Sequence, residues 1–400
     1  MELYPRPVHD AYRRRTLRYS EAVDRACEAI RRATDGLGTD EATLIRELTP
    51  LSPHDRALVV FRYKDLYREQ VKDTLRRELA GDYRVLLLLM IMSPPEADAF
   101  LLHMAATRWR TKEKFISTVR CSERRMTPRP LYSRLCGGRC KQILLGRTNE
   151  ELSILRATYS DLFNQDLTRM MKEELSGDLR TIAVLALEVQ QQASIASGYR
   201  ELTCNVGYDP VLQRLQEDFD PAVHTIERAQ EDADALYKAG EGRWGTDEDT
   251  FIKILFRSPR EHLVQLNDVY RKKYRSDLEA AVRCEFSGYA TEALLHYVRI
   301  TLKPIATLAR HFESTMKGLG TDEKRLSAAV IRYQLALQSI SDEYKKIYGR
   351  TLESRIESDT SGDYGALLLA LLGVKAKADP DSDLASKPDS DPTAASPPSP

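Results

Sequence analysis

The chain carries the segment Gly36-Leu37-Gly38-Thr39-Asp40-Glu41, which recurs as Gly318-Leu319-Gly320-Thr321-Asp322-Glu323, with a variant at Arg243-Trp244-Gly245-Thr246-Asp247-Glu248. Each copy is followed by one acid just ahead of another glycine: Glu78 before Gly81, Glu285 before Gly288 and Asp359 before Gly362. The last loop glycine and that acid are 40 residues apart for Gly38 and Glu78 and for Gly245 and Glu285, and 39 apart for Gly320 and Asp359. A Gly-x-Gly loop can turn its carbonyls inward, and an acid arriving from a distant segment adds one ligand of full charge. That is chemistry for a hard divalent cation, since calcium takes about six to eight oxygens, backbone carbonyls among them, in irregular geometry. So little protein charge puts the affinity towards ~10⁻⁴ M and leaves coordination positions for water or a phosphate oxygen. A lipid phosphate completing the shell makes metal and membrane binding mutually reinforcing, each raising the other's affinity by the same factor. Leu37, Trp244 and Leu319 stand at the loop tips, where an apolar or indole side chain suits a membrane interface.

A fourth, degraded copy is Arg108-Trp109-Arg110-Thr111-Lys112-Glu113, with Glu174 ahead of Gly177. Its loop-to-acid distance is 64 residues against 40 elsewhere, and the surplus lies around Cys121 to Arg147. That stretch is rich in Arg, Gly, Pro and Cys and lacks a helical apolar period. It reads either as a surface insertion or as untranslated sequence carried into the chain. Cys136 and Cys140 within it lack the paired spacing of a zinc site. Arg108 and Arg110 put positive charge where an ion would sit, so this unit is expected not to bind one.

Helices must flank each loop to position these groups. In unit one, Ala22, Ala26, Ala29, Ile30 and Ala33 keep helical spacing over about Ser20–Thr34, and the glycines then break the helix. Thr39 is suited to cap the next helix, with Asp40 and Glu41 in its first turn, where carboxylates meet the positive end of the dipole. The loop acids therefore have a second reading as helix stabilisers, and Glu78, Glu285 and Asp359 a second reading as caps. A single Gly-x-Gly is more often a tight helix connection; recurrence with a spaced acid favours the ion. A helix follows to about Leu48, Pro53 opens another to Tyr67, and Val71–Leu79 and Tyr83–Met92 supply two more. Five helices per unit is the simplest count, and strands have little support.

The boundaries that follow are an N-terminal arm over 1–19, repeat one over 20–93, repeat two over 94–190 with the insertion near 121–147, a connector over 191–225, repeat three over 226–301 and repeat four over 302–374. Residues 375–400, rich in Pro, Ser and Asp, are expected to be a disordered tail. The acid-to-next-loop distance is 32 residues from Glu78 and 35 from Glu285 but 71 from Glu174, so a long connector is expected to join two pairs of units.

Lys+Arg and Asp+Glu both number 60, which leaves no global field favouring nucleic acid or an anionic surface; attraction to anionic lipid must be local or borne by the metal. Six irregularly spaced cysteines in 400 residues suit reduced thiols in a cytosolic protein. The N-terminus lacks an apolar run of signal-peptide type, and the longest apolar run, Val85 to Met92, is too short to span a bilayer. The seven histidines form no HExxH or triad order, and no feature argues for an enzyme.

The loops GLGTDE and WGTDE, the downstream acid, and the EFSGY and DTSGDY stretches together resemble the annexin family over nearly all of residues 20 to 373. The resemblance implies an all-α chain of four five-helix repeats in a slightly curved disc, with calcium (Ca2+) loops on the convex face bound to acidic phospholipid membranes. Carried over by motif, the ligands are the carbonyls of Thr34, Gly36 and Gly38 with Glu78; of Gly240, Arg243 and Gly245 with Glu285; and of Met316, Gly318 and Gly320 with Asp359. Membrane organisation or trafficking from the cytoplasm, when calcium rises, is the expected setting. Protein partners are expected through the N-terminal arm, and nucleic acid is not. The competing expectation is a calcium-independent helical scaffold for protein partners.

Overall fold

The computed structural model describes residue 4 and residues 18–36, 38–104, 143–188, 219–241, 247–318 and 320–374. No strand occurs among them. Unit one has the five expected helices, Glu21–Ala33, Glu41–Leu48, Pro53–Tyr67, Val71–Glu78 and Gly81–Met90. The first is capped by Ser20, whose hydroxyl accepts from the Val23 amide, and it buries Val23, Ala26, Cys27, Ile30 and Ala33 along one stripe. Ser52 caps the third, with Pro53 in the first turn, where a missing N–H costs nothing.

Units three and four repeat the plan. Unit three runs through Ile226–Ala239, Glu248–Arg257, Arg260–Tyr274, Leu278–Glu285 and Gly288–Leu302; unit four runs through Pro304–Met316, Glu323–Arg332, Leu337–Tyr348, Leu352–Asp359 and Gly362–Leu371. In unit two, residues 94–104 and the helices Asn149–Phe163, Leu167–Glu174 and Gly177–Glu188 are described. The glycine after each acid (Gly81, Gly177, Gly288 and Gly362) has φ between 57° and 63° and opens the fifth helix. This left-handed residue, easy only for glycine, reverses the chain between the fourth and fifth helices. It also explains why the fifth helix of unit one starts at Gly81, two residues ahead of the expected Tyr83.

The units pair differently from their order in sequence. The fifth helix of unit one packs against the second helix of unit four, and the last helix of unit four packs on the second and fifth helices of unit one. Unit two's Gly177–Glu188 likewise lies on the second and fifth helices of unit three. The long connector thus separates units that are neighbours in space, because apolar helices such as RVLLLLM and GALLLAL need a partner face wherever the chain supplies it. One core cluster joins units one, two and four; a second belongs to unit three and takes in Ile182, Leu185 and Ala186 from unit two.

A buried ionic cluster ties the larger assembly together. Asp98, 1% exposed, accepts from Arg332 Nε of unit four at 2.6 Å, from Arg147 of unit two and from the Tyr4 hydroxyl at 2.7 Å. The Arg147 guanidinium also lies over the Tyr4 ring, 4.5 Å from its centre. Burial alone would push the Asp98 carboxyl up, but Arg147 and Arg332 outweigh it and hold it below the ordinary carboxylate range. This corrects the expected insertion: Ile143, Leu144 and Leu145 are core residues and Arg147 is a buried partner of Asp98. Residues 105–142, and the expected tail 375–400, lie outside the described residues. Of the cysteines, Cys27 and Cys284 are described and both are free thiols.

Candidate metal centre

The loop of unit one leaves its first helix at Ala33 and is closed where the Asp40 amide donates to the Ala33 carbonyl, 3.0 Å. Between them Gly36 has φ 111° and Gly38 φ 90°, values that a side chain would strain. In unit four the Asp322 amide donates to the Thr315 carbonyl at 2.8 Å, with Gly318 at φ 124° and Gly320 at φ 88°. Unit three closes its loop in the same way, Asp247 N–H to the Ala239 carbonyl at 2.8 Å. Thr34, Met316 and Gly240 each follow the closing carbonyl, so they hold one common place in the three loops.

The residue after the last loop glycine departs from expectation. Thr39 does not cap the second helix; Asp40 does, accepting from the Thr43 amide at 2.9 Å and the Thr43 hydroxyl at 2.7 Å. Those two hydrogen bonds hold the Asp40 carboxyl below its ordinary range. Asp247 and Asp322 cap in the same way, through the amides of Thr250 and Arg325. The Thr39 hydroxyl instead donates to the Glu78 carbonyl, 3.4 Å, and Thr321 donates to the Asp359 carbonyl, 3.3 Å. A carboxylate competes better than a hydroxyl for the first free amides, which releases the threonine to tie the loop to the end of the fourth helix.

The three acids sit differently against their loops. In unit three Gly240 lies so close to Glu285 that a β-carbon there would sit 2.7 Å from the carboxyl carbon, so a side chain at this position would push the acid aside. In unit one Glu78 is half-buried and accepts from Arg77 Nε at 2.9 Å on the solvent side. In unit four Asp359 and the Met316 carbonyl converge on a single group, the guanidinium of Arg355. Glu78 and Asp359 also share a cleft of about 560 Å³ between units one and four, lined in addition by Glu41, Asp82, Glu323 and Asp363. The two acids therefore open onto one side of the molecule. Leu37, Arg243, Trp244, Gly245 and Leu319 lie outside the described residues, as do Arg108 and Arg110 of unit two.

Residues 25–90, 231–296 and 308–371 match the family model Annexin. The chain is 32% identical to annexin A3 of Mus musculus over 356 residues, which covers 89% of this chain and 94% of that protein. Among solved structures, annexin III superposes with a TM-score of 0.69 at 30% identity, covering 89% of this chain and 94% of that one. A calcium-bound annexin (Sm)1 shares the fold, with a TM-score of 0.62 at 22% identity over 88% of this chain and 90% of that one. The chain belongs to the annexin family. Annexins bind phospholipid in a calcium-dependent manner and are generally non-enzymatic membrane-binding proteins. The fold is accordingly the all-α annexin fold of repeated five-helix units, as the motifs implied.

Whether this annexin's own loops suit calcium depends on their donors. Among the described residues no three His, Cys, Asp or Glu side chains cluster tightly enough to hold a metal, so a cation here must draw on backbone carbonyls. Positive-φ glycines beside a single carboxylate are such a donor set, with hard oxygens and low charge. Unit one fits on that ground; in unit three the described part of the frame is the closing hydrogen bond and Gly240 packed beside Glu285. Unit four does not fit as it stands, because a side chain of its own engages both the loop carbonyl and the acid. Reading the sequence missed Arg355, the threonine ties and the Asp98 cluster. Aligning the four units on their acids would have exposed Arg355, since the residue four places earlier is Thr74, Met170, Ala281 and Arg355 in turn.

Proposed function

We propose that this annexin docks on acidic phospholipid membranes through calcium held by the loops of units one and three, with unit four as a third, weaker position. The ligands in this reading are the carbonyls of Thr34, Gly36 and Gly38 with Glu78, those of Gly240, Arg243 and Gly245 with Glu285, and those of Met316, Gly318 and Gly320 with Asp359. The observation that carries it is the shared loop frame: positive-φ glycines in units one and four, the same closing hydrogen bond in all three units, and the end of the fourth helix tied to the loop by threonine in units one and four and packed on Gly240 in unit three. A bound calcium supplies concentrated positive charge with coordination positions left for a phosphate oxygen. The glycines let the carbonyls face inward, Asp40, Asp247 and Asp322 hold the second helices at their caps, and the threonine ties keep loop and acid in register. Leu37, Trp244 and Leu319 enter the lipid interface. No helix among the described residues is long and apolar enough to cross a membrane, in keeping with peripheral docking. We assign the process to membrane organisation or trafficking on the cytoplasmic side, with no catalytic step.

Co-sedimentation with phosphatidylserine liposomes, in calcium and in chelator, tests this. Glu78→Gln combined with Glu285→Gln and Asp359→Asn should lose the calcium-dependent pellet while the helical circular-dichroism signal persists. A wild-type pellet that survives chelator points instead to a calcium-independent scaffold.

A further inference from the structure

The fourth helix of unit four carries a charged side chain at a place where its three counterparts carry none. Four residues before the acid, where side chains share a helix face, units one, two and three carry Thr74, Met170 and Ala281, all buried and uncharged. Unit four carries Arg355, whose side chain is only 12% exposed. Its guanidinium donates from Nη1 to Asp359 Oδ1 and from Nη2 to the carbonyl of Met316. These are one oxygen from each of the two segments that a cation in this unit would have to bridge. Behind it, Arg355 Nε lies 3.4 Å from Glu313 Oε2, a carboxylate that also accepts from the Tyr344 hydroxyl. Thr321 Oγ1, whose single proton also reaches the Asp359 carbonyl at 3.3 Å, lies 3.3 Å from the second oxygen of Asp359. The acid is thus engaged from within the unit.

Resting on the calcium-docking reading above, we propose that Arg355 is a tethered occupant of the fourth cation position, so that this unit's loop is closed by the protein's own positive charge and takes up metal far less readily than units one and three. A planar guanidinium with parallel donors suits a carboxylate beside a carbonyl. A divalent ion cannot enter beside it, because two cations would share one carboxylate at contact distance. To bind, calcium must first expel a side chain that Glu313 holds from behind. The acid follows the same logic: unit four has aspartate where units one and three have glutamate, and the arginine spans the gap left by the missing methylene.

The test uses the full chain and phosphatidylserine liposomes, with calcium uptake measured by equilibrium dialysis and membrane binding by co-sedimentation. Arg355→Ala and Arg355→Met install the residues of units three and two. Each should add one calcium per chain and lower the calcium needed for half-maximal pelleting by about tenfold, the equivalent of about 1.4 kcal/mol. Adding Asp359→Asn to either should erase the gain, whereas Asp359→Asn in the wild type should shift the midpoint less than Glu285→Gln does. Unchanged stoichiometry and midpoint in a folded Arg355 variant overturn the proposal. So does an Asp359→Asn effect in the wild type as large as that of Glu285→Gln, which needs no Arg355 variant to fold. If the wild type pellets equally in chelator, the docking reading itself fails; a calcium-dependent wild type with silent Arg355 variants sinks this inference alone.

Discussion

Units one and four face each other across one cleft, and the described residues of their loops follow one pattern. Their glycines turn at φ 111° and 90° in one and at 124° and 88° in the other, and their threonines reach the acid's carbonyl at 3.4 and 3.3 Å. Besides the acid itself, the side chain one turn before it differs: Thr74 in unit one and Arg355 in unit four. The frame is written by glycines and caps, and the occupant by a single residue on a neighbouring helix. A repeated loop is therefore a repeated shape, and its chemistry is set by what the adjacent helix aims into it.

The comparison assumes that both loops sit on one rigid body, and the hardest way to break it is through Asp98. Asp98→Ala leaves Arg147 and Arg332 buried without their shared anion, at a cost of about 3–5 kcal/mol. Both loops should then fail together in liposome binding, and urea denaturation should show the loss. Because the Asp98 carboxyl is held below its ordinary range in the folded state, its stabilisation is complete above that range and drains away as pH falls through the folded value. Wild-type stability should accordingly drop on acidification more steeply than that of Asp98→Asn.

A smaller effect probes the frame itself. Gly36→Ala and Gly318→Ala meet no atom within 4 Å, so their cost is backbone strain alone, about 1–3 kcal/mol each. Thermal melts should show equal losses for the two variants. A loss confined to one unit means that the two loops are alike only in outline.

Much of this architecture was legible in the sequence. The loop copies, the acid at near-constant spacing and the helical periods gave the five helices of unit one almost to the residue, because caps, Pro53 and the breaking glycines are local signals. Local signals were also what misled at Thr39: a threonine and an aspartate side by side are both good caps, and only the Glu78 carbonyl, from 39 residues away, decides which one turns outward. The pairing of unit one with unit four, the burial of Arg147 and the docking of Tyr4 on Asp98 are contacts between distant segments that no periodicity encodes. Arg355 was visible as a residue type and invisible as a partner, since a charge in RIESD looks like any solvated helix face until the loop closes over it.

Thr74→Arg would carry the charge of unit four's fourth helix into unit one. Thr74 is 2% exposed and stands four residues before Glu78, as Arg355 stands before Asp359. In Thr74→Arg the new guanidinium lies one helical turn from the Glu78 carboxylate and beside the loop whose Thr34 carbonyl corresponds to that of Met316. The four-residue spacing lets the guanidinium pair with the Glu78 carboxylate. Calcium should then be excluded from unit one, raising the midpoint for liposome pelleting by about tenfold, or about 1.4 kcal/mol. Thr74→Met, the choice made in unit two, adds comparable bulk without charge and should leave that midpoint near wild type. If the arginine and methionine variants shift it equally, volume rather than charge governs the site, and the contrast between units one and four has been read from the wrong property of Arg355.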